Sequence, residues 1–133
     1  MAKTIHSMIR VFDEARSVAF YDAAFGLKVA DRLDFESFTL IYLSNPDQAF
    51  ELELTVNKGR TEPYNLGDGY GHIAFEVPDV VDAQRAVIAA GGSSIGEIVT
   101  LTRSDGWQVT LCYAADPEGN AVELLTWRAP QDE

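Results

Sequence analysis

With 133 residues, 47% of them hydrophobic and 23% charged, the chain is long enough to bury a core and too apolar to be disordered. Its net charge of −11 argues against nucleic acid and anionic membranes as partners, because an acidic surface repels phosphate, and any anionic substrate needs local basic help. A single cysteine, Cys112, forms no internal disulfide, no apolar run is long enough to span a bilayer, and "MAKTIHSMIR" lacks the apolar core of a signal peptide, so a cytoplasmic location is expected.

"TIHSMIRV" (4–11) alternates and predicts a strand, with Ile5, Ser7, Ile9 and Val11 on one face and His6, Met8 and Arg10 on the other. "FDEARSVAFYDAAFG" (12–26) predicts a helix capped by Asp13, with Glu14 in its first turn and Gly26 as its stop. "KVADRLDF" and "FTLIYLS" predict two further strands. "AFELELTVN" (49–57) alternates most clearly, setting Phe50, Leu52, Leu54 and Val56 against Glu51, Glu53, Thr55 and Asn57. "KGRTEPYNLGDGYG" (58–71), rich in glycine, predicts a linker in which Lys58 and Arg60 are solvated. "HIAFEV" predicts a strand, and "PDVVDAQRAVIAAGG" (78–92) a helix capped by Asp79 and ended by Gly91. "SSIGEIVTLTRSDG" predicts a weak strand and a loop, "WQVTLCYAA" a strand, "DPEG" a turn and "NAVELLTW" the last strand.

The order β-α-β-β-β therefore occurs twice. When His72 is placed under His6, Val77 falls under Val11, Asp79 under Asp13 and Gly92 under Gly26. At a slightly larger offset "VEL" (122–124) falls under "LEL" (52–54), and Glu123 under Glu53. The expected organisation is one domain, 1–133, of two repeats that share a core: a first module 1–57, a linker 58–71 and a second module 72–133. The fold class is α+β.

The repeat sets His6 and His72 on the first strand of each half, and Glu53 and Glu123 on the last. Taken singly, each fits the wet face of a sheet, and Glu51 and Glu76 are read that way. Their symmetric placement points further. If first and last strands are neighbours, each His lies near its Glu, and a two-fold arrangement brings together two imidazole nitrogens and two carboxylates. That donor set suits a divalent transition metal with positions open to substrate, whereas a closed zinc site would more often recruit cysteine. The competing explanation is that the repeat kept these residues for folding. Arg10 follows His6 by four positions and Asn57 follows Glu53 by four, each on its partner's face, where they are suited to holding a carboxylate or peptide group.

From "HSMIRV" through "RSVAFYDAAFGLKV", "ELELTVN" and "YGHIAFEV" to "DPEGNAVELL", the chain resembles the vicinal oxygen chelate superfamily, and within it glyoxalase I, lactoylglutathione lyase. The resemblance implies two paired βαβββ modules forming a curved, cleft-lining mixed sheet around a divalent metal. It implies His6, Glu53, His72 and Glu123 as metal ligands, and Arg10 and Asn57 as contacts to glutathione. The implied reaction isomerises the methylglyoxal–glutathione hemithioacetal to S-lactoylglutathione by proton transfer through a metal-stabilised enediolate. Glu123 is the favoured base, with Glu53 able to serve on the opposite face. Nickel or cobalt is favoured because the chain lacks long insertions, with zinc or manganese as alternatives. A homodimer with the site at the subunit interface is expected. Asp68 and Asp105 stand where a glutathione site would use positive charge, with Arg103 as the nearby compensating substrate residue. Other metal-dependent members of the superfamily (an epimerase, dioxygenase or thiol transferase) and a metal-free small-molecule binder are the competing functions.

Overall fold

The computed structural model describes residues 1–131. Its elements are β1 (His6–Arg10), α1 (Glu14–Phe25), β2 (Lys28–Asp34), β3 (Phe38–Ser44) and β4 (Glu51–Asn57), then β5 (Ile73–Glu76), α2 (Val80–Ala89), β6 (Ser93–Thr102), β7 (Gln108–Ala115) and β8 (Ala121–Arg128). The chain divides into two compact units, Met1–Asn65 and Leu66–Glu133, each a βαβββ module.

In the first unit the strand order is β1-β4-β3-β2. β1 runs parallel to β4, and the remaining pairs are antiparallel. A parallel pair needs a long crossover, and α1 with the β2–β3 hairpin supplies it. The Asp13 carboxylate accepts a hydrogen bond from the Arg16 backbone N–H at 3.0 Å, satisfying one of the orphan donors at the start of α1. Gly26 ends the helix in the left-handed region, φ 67°, a conformation that only glycine adopts cheaply. Buried in this unit are Ile9, Val11, Phe20, Tyr21, Leu27, Ile41, Leu43, Leu52 and Leu54. Each such side chain contributes roughly 1.5–3 kcal/mol by leaving water.

The second unit repeats the topology, with order β5-β8-β7-β6 and β5 parallel to β8. Asp79 caps α2 by accepting from the Asp82 N–H at 2.9 Å. Its buried residues include Val80, Val87, Val109, Cys112, Ala114, Val122 and Leu124.

Three details depart from the sequence expectation. The weak strand after α2 is a full ten-residue β6, paired to β7 with a register shift between Ile95 and Val99, beside Gly96 at φ 74°. Cross-strand hydrogen bonding holds it where its own apolar pattern is poor. β5 is only four residues long, so His72 immediately precedes it. In β4 the alternation does not produce a wet face: Leu52, Glu53, Leu54 and Thr55 are all buried, with Glu53 only 8% exposed.

Leu54→Ala should lower the unfolding free energy in urea by about 2–5 kcal/mol, because a fully buried side chain leaves a cavity. Val29→Ala, at a position 46% exposed, should change it by no more than about 0.5 kcal/mol.

Candidate metal centre

The parallel register of β1 on β4 pairs His6 with Glu51 and Met8 with Glu53. His6 therefore lies diagonally across from Glu53, two positions back on the same face, and its Nε2 stands 3.5 Å from Glu53 Oε2. In the second unit Ala74 pairs with Glu123, which puts His72 on the same diagonal, with Nε2 3.2 Å from Glu123 Oε1. One register thus produces the same His–Glu pair twice. In both pairs the imidazole is 35% exposed while the carboxylate is sunk to 10% and 14%.

The separations have chemical meaning. With bonds of about 2.0–2.2 Å, two donors at right angles around one cation lie about 3 Å apart. Each His–Glu pair is close to that spacing without rearrangement. A protonated imidazole would make it an ion pair instead. Among the described residues no group of three or more His, Cys, Asp or Glu side chains is close enough to hold a metal. Each unit thus presents one nitrogen and one carboxylate donor side by side.

Each pair also has a tyrosine, which the sequence reading missed. Tyr42 on β3 is the direct antiparallel partner of Glu53, and Tyr113 on β7 that of Glu123. The Tyr42 ring packs edge-on to His6 with centroids 5.8 Å apart, and Tyr113 does the same to His72 at 5.0 Å. The two tyrosines differ in what their hydroxyls do. The Tyr42 hydroxyl is hydrogen-bonded to the Glu53 carboxylate, and this, followed by burial and the charge of Glu53, pushes its pKa up to about 12. Among the described residues Tyr113 makes no such bond to Glu123. The signal for Tyr42 was present in "FTLIYLS": it is out of phase with the buried stripe of Thr39, Ile41 and Leu43.

Arg10 closes β1 on the His6 face, exposed and with no hydrogen bond or ion pair among the described residues. Asn57 closes β4, and its Oδ1 accepts from the Tyr64 hydroxyl at 2.9 Å.

The family model for the Glyoxalase/Bleomycin resistance protein/Dioxygenase superfamily matches residues 3–124. The chain belongs to this superfamily. It is 32% identical over 134 residues to the lactoylglutathione lyase of a Neisseria meningitidis serogroup A strain, covering 98% of this chain and 94% of that protein. It is 33% identical over 126 residues to the lactoylglutathione lyase of Haemophilus influenzae, covering 91% and 90%. Among solved structures, the trypanothione-dependent glyoxalase I of Leishmania major is similar with a TM-score of 0.78 and 32% identity, over 95% of this chain and 87% of that one. Within the superfamily the chain is a glyoxalase I-like lyase.

The loop cations of this superfamily member are exposed, as expected, and are also engaged by the chain. Lys58 Nζ pairs with Asp34 Oδ1 at 2.9 Å and donates to the Phe35 carbonyl. Arg60 donates from Nε to the Glu62 carbonyl at 2.7 Å and from Nη2 to that of Pro63 at 3.0 Å, with its guanidinium 3.8 Å over the Tyr64 ring. Residues Asn57 to Glu62 line an open cavity of about 420 Å³. Arg103 Nη2 pairs with Asp105 Oδ2 at 2.8 Å, and its guanidinium lies 5.8 Å from the Trp127 ring. The acid at position 105 is thus neutralised by its own loop.

Lys58, then Thr39, hold the Asp34 carboxyl below its ordinary 3.8 by hydrogen-bonding its charged form. A depressed folded-state pKa means stability that is present above that ordinary value and lost as pH falls through the lowered one. Asp34→Asn should therefore destabilise the superfamily member at neutral pH, measured by urea unfolding. The gap from the unsubstituted protein should narrow in strong acid.

Proposed function

We propose that the chain converts the hemithioacetal of methylglyoxal and glutathione to S-lactoylglutathione. The observation that carries this is the His–Glu pair built twice on one register, in a chain similar over nearly its whole length to proteins named lactoylglutathione lyase. His6, Glu53, His72 and Glu123 would hold a divalent cation, with nickel or cobalt favoured over zinc or manganese. The nitrogen and carboxylate donors, at the spacing each pair has, fit such an ion. By analogy with the family, we place the complete set at the interface of a homodimer. When bound, the cation supplies Lewis-acid stabilisation of negative charge on the adjacent substrate oxygens.

The residues divide the remaining work. The reaction moves a proton from the carbon bearing sulfur to the neighbouring carbonyl carbon and leaves the carbon–sulfur bond intact. Glu123 removes and returns that proton. Of the two carboxylates, Glu53 is tethered by the Tyr42 hydroxyl, whereas Tyr113 contacts His72 through its ring. The carboxylate without a tyrosine hydrogen bond is the better placed to move between proton donor and acceptor atoms. Glu53 serves the opposite substrate face. Arg10, a cation with no ion-pair partner among the described residues, takes a substrate carboxylate, and Asn57 a peptide or carboxylate group. Arg103 enters the substrate site as the partner that cancels Asp105.

Asp68, four positions before His72, favours a second reading in which the thiol is not glutathione but carries positive charge. The named thiol already differs between the lactoylglutathione lyases and the trypanothione-dependent Leishmania relative.

The test is turnover of the methylglyoxal–glutathione adduct by protein supplied with nickel, cobalt, zinc or manganese. Consumption of the adduct is expected. Metal uptake without consumption would reject the glutathione reading and leave another thiol. Glu123→Gln should lower kcat by about 10²–10⁴-fold with little change in KM, as loss of a proton-transfer group does.

A further inference from the structure

We infer that Tyr64 is a positioning residue that fixes the side-chain amide of Asn57 so that its NH₂ group, not its oxygen, faces the substrate. This rests on the assignment of Asn57 to substrate binding under the proposed function. An asparagine amide presents an acceptor on one side and two donors on the other, and a half-turn about its last bond exchanges them. A substrate carboxylate or peptide carbonyl offers only acceptor atoms to this position. The amide is therefore useful in one orientation and repulsive in the other.

The loop after β4 settles which orientation is held. The Tyr64 hydroxyl lies 2.9 Å from Asn57 Oδ1, so it donates to that oxygen and leaves Nδ2 free to donate outward. Tyr64 is itself held. The Arg60 guanidinium covers its ring at 3.8 Å, and Arg60 is fixed in turn by the carbonyls of Glu62 and Pro63 at 2.7 and 3.0 Å. Lys58 ties the start of the same loop to Asp34. The sequence 57–64 thus closes on itself, carbonyls to guanidinium to ring to amide. Asn57 stands in the lining of the 420 Å³ cavity that this loop borders. It lies four residues beyond Glu53 on the same strand, about 13 Å away at 3.3 Å per residue. That distance suits contact with a remote part of a tripeptide-sized substrate rather than with the reacting carbons.

Tyr64→Phe removes only the hydroxyl and keeps the ring under Arg60. Loss of one hydrogen bond of this kind should raise KM for the methylglyoxal–glutathione adduct about 3- to 10-fold, with kcat and bound metal unchanged. In an Asn57→Ala background the same substitution should have no further effect, because the amide it positions is gone. Arg60→Ala, which leaves the hydroxyl in place, should give a smaller rise in KM. If the unsubstituted protein consumes the adduct but Tyr64→Phe leaves KM unchanged, the inference is overturned and the proposed reaction stands. An equal loss of kcat, or full additivity with Asn57→Ala, overturns it as well. If the unsubstituted protein, supplied with metal, does not consume the adduct, the glutathione reading fails and the inference fails with it.

Discussion

The parallel pairing of the first and last strand in each unit is the constraint on which the candidate site depends. In β1 against β4, and again in β5 against β8, the register leaves a histidine one diagonal step from a glutamate. Side chains on a strand point to alternate faces, so a slip of one residue would send every one of these groups to the other side of its sheet. The apolar stripes prevent that slip. Ile9, Leu52 and Leu54 in the first unit, and Val122 and Leu124 in the second, are buried only in the register that puts the His–Glu pairs on the opposite face. Core packing and site geometry are therefore one requirement.

On that symmetric frame the two units carry unequal chemistry. The tyrosine opposite Glu53 bonds the carboxylate, while the tyrosine opposite Glu123 presents only its ring to the histidine. Glu53 thus has a tyrosine hydrogen bond that Glu123 lacks among the described residues. The charges follow a similar division. Lys58, Arg60 and Arg103 are occupied in shaping their own loops. Arg10 has no ion pair among the described residues, in a chain of net charge −11.

Much of this was legible in the sequence, for identifiable reasons. Asp13, Gly26 and Asp79 act locally, through a cap or a left-handed turn, and local chemistry can be read from one stretch. The two His–Glu pairs were legible because the chain says them twice: His72 under His6 and Glu123 under Glu53. What escaped depends on residues distant along the chain. The burial of Glu53 follows from what covers β4, not from its own alternation. Tyr42 and Tyr113 gain their meaning from antiparallel partners, and the length of β6 from hydrogen bonds to β7. Tyr64 sits in a stretch whose glycines announce a loop but do not announce which side chain closes it.

The central claim is that His6, Glu53, His72 and Glu123 act as one cation-binding set, although they belong to two units. Titration of cobalt(II) into the metal-free protein, followed by its visible absorption, tests this directly. A single set predicts one cation per four ligands, and an affinity that falls at least about 10-fold when either His6 or His72 alone is replaced by alanine. Tight binding that survives both single substitutions, or a protein that takes up no divalent cation, would contradict it.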